Sequence, residues 1–82
     1  MNDTIRKAID EHARLPVAAA TLADDTDLYQ AGMTSHASVN VMLALEDAFD
    51  IEFPDHMLKR SVFESVASIR AAVSELRTDL AA

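Results

Sequence analysis

The stretch Asp27-Leu28-Tyr29-Gln30-Ala31-Gly32-Met33-Thr34-Ser35-His36-Ala37-Ser38-Val39 joins a polar loop to a strongly apolar run. Gly32 is the only glycine in the chain and stands three residues before Ser35. A glycine lets the backbone turn tightly and removes bulk. Thr34 or Ser35 can then cap a new helix, because a side-chain oxygen there accepts from a free backbone N–H. The spacing predicts that helix over 35–49. At 3.6 residues per turn, Val41, Met42, Leu45, Ala48 and Phe49 share one broad face, wide enough for a core stripe. Val39 and Leu43 fall outside the stripe, about 60–100° from its edge, beside Glu46 and Asp50. They either form a small apolar docking surface below Ser35 or lie under the preceding loop.

Outward from this helix, the pattern predicts an all-α chain. Residues 3–14 read as a first helix, with Ile5, Ala8, Ile9, His12 and Ala13 on one face. Asn2 or Asp3 can cap it, Arg14 suits the negative end of its dipole, and Pro16 stops it. Residues 15–34 form a long connection pinned by Leu22 and Leu28, with help from Leu15, Val17 and Tyr29. Connections of this length are uncommon in compact domains and are often functional. Its aspartates do not make a calcium loop. An EF-hand started at Asp25 places Gln30 where glycine is needed and His36 where the bidentate glutamate belongs. Asp24, Asp25 and Asp27 therefore read as a solvated acidic loop. Beyond Phe49, Ile51 or Phe53 inserts into the core. Asp55 caps a brief helix over about 56–61, with Met57 and Leu58 inward and Lys59 and Arg60 near its C-terminus. Phe63 anchors the next link, Ser65 caps a last helix over 66–77, and Val66, Ile69, Val73 and Leu76 carry its inner face. The tail 78–82 is expected to fray. The expected fold is one domain over 1–82, a four-helix bundle of three longer helices and one short one, with a long loop after the first.

Composition narrows the function classes. One glycine and two prolines argue against a hairpin-rich β fold. The absence of cysteine removes disulfides, thiolate zinc sites and a cysteine nucleophile. A net charge of −7 opposes binding to nucleic acid or anionic membranes and favours basic protein partners, although acidity also serves solubility. The first residues lack the basic start and apolar run of a signal peptide, and no apolar stretch approaches the roughly 20 residues of a membrane span. A cytoplasmic monomer is the expectation.

Catalysis fits poorly. Ser35 and His36 are neighbours, but successive side chains on a helix do not face each other. A serine nucleophile needs a positioned base and an orienting group behind it. Gly32-Met33-Thr34-Ser35 is not the G-x-S-x-G elbow, and His12, His36 and His56 lack metal-ligand spacing. Covalent modification fits better. A phosphodiester on Ser35 would meet free N–H groups and the positive end of the helix dipole, and a thiol absent from the chain could be imported on the attached arm. On spacing alone, Ser35 as a simple N-cap stays open. Ser38 shares the face of Ser35 but lies inside the helix, where no free N–H remains to hold a phosphate.

Asp27-Leu28, Gly32-Met33-Thr34-Ser35, Val39 and the run Leu45-Glu46-Asp47-Ala48-Phe49-Asp50-Ile51-Glu52-Phe53-Pro54-Asp55, continuing through Phe63, Ser65-Val66 and Ile69, resemble the acyl carrier protein family. The resemblance spans nearly the whole chain. It implies a non-catalytic four-helix carrier with 4′-phosphopantetheine on Ser35, its thiol bearing cargo as a thioester. It also implies that helix 35–49 recognises partner enzymes through Thr34, His36, Val39, Leu43, Glu46, Asp47 and Asp50. Fatty-acid and polyketide carriers typically show Asp-Ser-Leu where this chain has Thr34-Ser35-His36, and Pro54–Val66 is about two residues longer than in common bacterial acyl carriers. The chain is more similar to stand-alone aminoacyl carrier proteins. Those are loaded by seryl-tRNA-synthetase-like amino acid:carrier protein ligases after a phosphopantetheinyl transferase attaches the arm. A fatty-acyl, polyketide or peptidyl carrier and a cofactor-free acidic adaptor are the alternative readings.

Overall fold

The computed structural model describes residues 2–81, with the side chains of residues 3–77. It is helical throughout, with no strand among the described residues. Three long helices, α1 (Asn2–His12), α3 (Ser35–Phe49) and α5 (Val66–Ala81), frame the expected bundle. A short α4 (Arg60–Phe63) is its fourth helix, and a single turn, α2 (Leu28–Ala31), is set into the long connection.

The core sits where the three long helices meet. Ile5 and Ile9 of α1, Val41 and Leu45 of α3, and Val66, Ile69 and Val73 of α5 are sealed from solvent, together with Leu28. Burying one such side chain stabilises the fold by about 1.5–3 kcal/mol, so these positions fix how the helices face one another. Both Ile51 and Phe53 enter the core, and the Phe53 ring meets Phe63 edge-on at 5.3 Å.

Several local expectations are corrected. Helix α1 ends at His12, because Arg14 turns left-handed (φ 58°) ahead of Pro16. Ala48 is exposed, and Ala37 and Ser38 are buried instead: Ala37 and Ala48 lie on one side of α3, about 20° apart, and that side is covered at its N-terminal end and open at its C-terminal end. Val17 is exposed, while Ala19 in the short 3-10 turn Ala19–Thr21 takes the buried place. The expected helix over 56–61 divides into a 3-10 turn, Asp55–Met57, and α4. Met57 and Phe63 are both buried, and six residues of continuous helix would point them about 120° apart. Lys59 therefore adopts an extended conformation (φ −142°, ψ 157°) that re-aims the chain. In consequence Leu58 is 48% exposed, and Lys59 and Arg60 open α4 rather than close a helix. Asp55 makes no side-chain cap. Helix α5 runs past Arg77 to Ala81, since Thr78–Ala81 contains no glycine or proline to stop it. Ala82 and the capping role of the Asn2 side chain lie outside the described residues.

The acidic loop is fastened rather than solvated. Arg6 of α1 donates to the carbonyl of Leu22 (2.9 Å) and to Asp24 Oδ1 (2.6 Å), and Arg70 of α5 reaches Asp24 Oδ2 at 3.1 Å. The Ala67 N–H donates to the Asp24 carbonyl, and the Ala19 N–H to Asp10 Oδ1. Hydrogen bonds from Arg70 and then Arg6 hold the Asp24 carboxyl below its ordinary pKa of 3.8.

Candidate functional site

The approach to Ser35 is built by Asp27, Gly32 and Thr34. Asp27 Oδ1 accepts from the N–H groups of Tyr29 (2.9 Å) and Gln30 (3.2 Å), starting α2. Gly32 ends it with φ 127°, a conformation that L side chains rarely adopt. The Met33 N–H then donates back to the Leu28 carbonyl, and Met33 is buried. Thr34 is the N-cap of α3: its Oγ1 accepts from the Ala37 N–H at 3.0 Å. That settles the capping question in favour of Thr34 over Ser35.

Ser35 is thereby released from structural duty. It is the first residue of α3, it is exposed, and its hydroxyl has no hydrogen-bond partner among the described residues. The first carbonyl acceptor of α3, that of Thr34, takes the Ser38 N–H, so the N–H groups of Ser35 and His36 have no intrahelical acceptor and stay available to an anion. An exposed, unengaged hydroxyl at this end of a helix suits a phosphodiester. Ser38 differs: it is buried, and its hydroxyl donates to the Ser35 carbonyl at 2.7 Å.

The other candidates run down the same side of α3. At about 100° per residue, Ser35, His36, Val39, Leu43, Glu46, Asp47 and Asp50 fall within an arc of roughly 120°. Val39 is 49% and Leu43 53% exposed, so the long loop does not cover them. Thr34, His36, Asp47 and Asp50 are exposed. Glu46 is half-buried, and its Oε2 accepts from the Phe53 N–H at 2.8 Å, tying the end of α3 to the next link. Asp50 caps α3 in the left-handed conformation (φ 53°).

A groove of about 460 Å³ opens beside Ser35. Ser35, Ser38, Val39 and Met42 of α3 form one wall, with Tyr29 of α2 and the segment Leu58–Arg60 with Phe63 opposite. The Arg60 guanidinium lies over the Tyr29 ring, 4.3 Å from its centre, a cation–π contact of about 0.5–1 kcal/mol at an exposed site. Sequence reasoning missed the part of Leu58, Lys59 and Arg60 in this groove because it placed them on a helix. The available signal was two adjacent cations in a strongly acidic chain. No group of three or more metal-ligating side chains occurs among the described residues, and no described helix is long and apolar enough to cross a membrane.

With this geometry in place, comparison with known proteins is direct. Residues 3–76 match the protein family described as a phosphopantetheine attachment site, and the chain belongs to that family. It is similar to the aminoacyl carrier protein of Agrobacterium fabrum (strain C58 / ATCC 33970), 49% identical over 73 residues that cover 89% of this chain and 88% of that one. A chain in the crystal structure of an engineered Bradyrhizobium japonicum glycine:carrier protein ligase, complexed with carrier protein from Agrobacterium tumefaciens and AMP, superposes with a TM-score of 0.88. That match has 49% identity and covers 90% of this chain and 99% of that chain. A solution structure of an Agrobacterium tumefaciens protein covers both chains in full at 47% identity, with a TM-score of 0.74.

Proposed function

We propose that the chain carries an activated amino acid as a thioester on 4′-phosphopantetheine attached to Ser35, and presents it to partner enzymes without catalysing a reaction itself. The observation that carries this reading is the exposed, unpartnered Ser35 hydroxyl at the head of α3, inside the matched family span. Ser35 bonds the arm, the N-terminal turn of α3 stabilises its phosphate, and Thr34 keeps that turn formed. The arm supplies the thiol that the chain lacks. A phosphopantetheinyl transferase is the proposed source of the arm, and a seryl-tRNA-synthetase-like amino acid:carrier protein ligase is the proposed source of cargo. The likeness to a carrier found with a glycine:carrier protein ligase supports the second assignment. In that scheme the ligase activates the amino acid with ATP, and the thiol displaces AMP from the adenylate. Thr34, His36, Val39, Leu43, Glu46, Asp47 and Asp50 are the proposed partner-facing residues, and a cytoplasmic monomer the proposed state.

Intact-protein mass after incubation with coenzyme A and a phosphopantetheinyl transferase tests the attachment. Wild type gains the arm and Ser35→Ala does not. No gain on wild type would favour the cofactor-free adaptor, and a gain that survives Ser35→Ala would move the site. Offering the holo protein a pool of amino acids, ATP and its ligase, then weighing it, tests the cargo. Loading by fatty acyl groups alone would overturn the aminoacyl assignment.

A further inference from the structure

The groove beside Ser35 has an unusual charge for this molecule. The chain carries 14 carboxylate side chains against 7 Lys and Arg, yet no carboxylate lines the groove and two consecutive cations, Lys59 and Arg60, do. Most other cations are engaged elsewhere. Arg6 and Arg70 grip Asp24, Lys7 pairs with Glu11, and Arg77 lies over the Phe49 ring. Lys59 and Arg60 make no ion pair among the described residues. Their position follows from the break between Met57 and α4, where the extended Lys59 turns the chain toward α3.

We infer that Lys59 and Arg60 bracket the phosphodiester on Ser35 and hold the root of the arm in this groove. This rests on the attachment proposed above and assigns two positioning residues to it. Arg60 is pre-oriented by its stack on Tyr29, which leaves the edge of the guanidinium, with its N–H donors, for phosphate oxygens. Lys59 adds a mobile point charge from the same wall. Ser35, Lys59 and Arg60 line the same groove, so a phosphate on Ser35 and the two long cationic side chains share one space. Val39 and Met42 give the facing wall an apolar surface that offers the phosphate no competing charge. The negative charges on the outer arc of α3 then stay clear for a partner, because the arm's own anion is neutralised across the groove.

The test is phosphorus NMR of the holo protein, after intact mass has established the arm independently. A short unfolded peptide bearing the same group serves as reference. Raising salt from about 0.01 M to about 1 M shortens the Debye length from roughly 30 Å to roughly 3 Å. The wild-type resonance is expected to move toward the peptide position as salt rises, and the Tyr29 ring protons to shift on conversion from apo to holo. In Lys59→Gln/Arg60→Gln the salt response should shrink to the residual that the N-terminal turn of α3 contributes. Each single variant should lose part of the salt response. A wild-type resonance that ignores salt, or a double variant that keeps the full response, overturns the bracket while leaving the attachment intact. Absence of any mass gain on wild type sinks both. Both side chains are exposed, and unchanged far-UV circular dichroism of the variants shows that the fold is retained.

Discussion

Replacing Gly32 by alanine separates backbone strain from crowding. Gly32 has φ 127°, and a Cβ built there would lie 3.5 Å from Pro16 Cδ and 3.8 Å from Leu15 Cδ2, ordinary contact distances. The steric contribution is therefore small, and the cost is that of holding an L residue at this dihedral, about 1–3 kcal/mol. Alanine also restricts the unfolded chain, which offsets roughly 0.4–1 kcal/mol. Gly32→Ala should thus destabilise by about 1–2 kcal/mol, lowering the melting temperature by roughly 4–16 °C for a domain of this size. Thermal unfolding followed by far-UV circular dichroism measures it directly. Asp50 provides the opposite sign. It is a non-glycine residue at φ 53°, and glycine is favoured at such a helix end. Asp50→Gly should leave the midpoint unchanged or raise it, and it also removes a negative charge from the negative end of the α3 dipole. If Gly32→Ala melts within about 1 °C of wild type while Asp50→Gly falls, the reasoning from dihedrals fails.

Other outcomes follow from the same structure. The Asp24 carboxyl, held below 3.8 by Arg70 and Arg6, contributes stability that is fully present above that ordinary value and is lost as pH falls through the depressed one. Urea unfolding across this acid range should show the loss in wild type, and Asp24→Asn should flatten that part of the profile while lowering stability near neutral pH. Val39→Asp and Leu43→Asp change half-exposed side chains, so the free energy of unfolding should change by no more than about 0.5 kcal/mol. Mass-monitored loading by the ligase should nevertheless fall, and unaltered loading in both variants would move the proposed docking face. Thr34→Ala removes the bond from the Ala37 N–H and should cost about 1 kcal/mol in urea unfolding.

The long helices were legible because each carries an apolar face at helical spacing, and Thr34-Ser35 stands where a capping side chain belongs. What stayed hidden depends on distant partners. Asp24 reads as a surface acid until Arg6 and Arg70, 18 positions before it and 46 after it, are seen to converge on it. Ala48 and Ala37 have the same side chain and fall about 20° apart around α3, so periodicity cannot decide which is covered. Around Leu58 the local pattern was misleading. Met57 and Leu58 look equally apolar, but the requirement to bury both Met57 and Phe63 breaks the helix and turns Leu58 outward. The same break placed Lys59 and Arg60 in the groove, which no periodicity could announce.

The fastening of Asp24 has a consequence for when the protein becomes competent. One of its two clasps, Arg6, lies 18 residues before Asp24, while the other, Arg70, lies 46 residues after it. The loop leading to Ser35 therefore cannot be fully locked until Arg70 has been made and α5 has docked. An enzyme that requires the locked geometry would ignore copies in which α5 has not docked, and the fold would then act as an inspection step before cargo is attached.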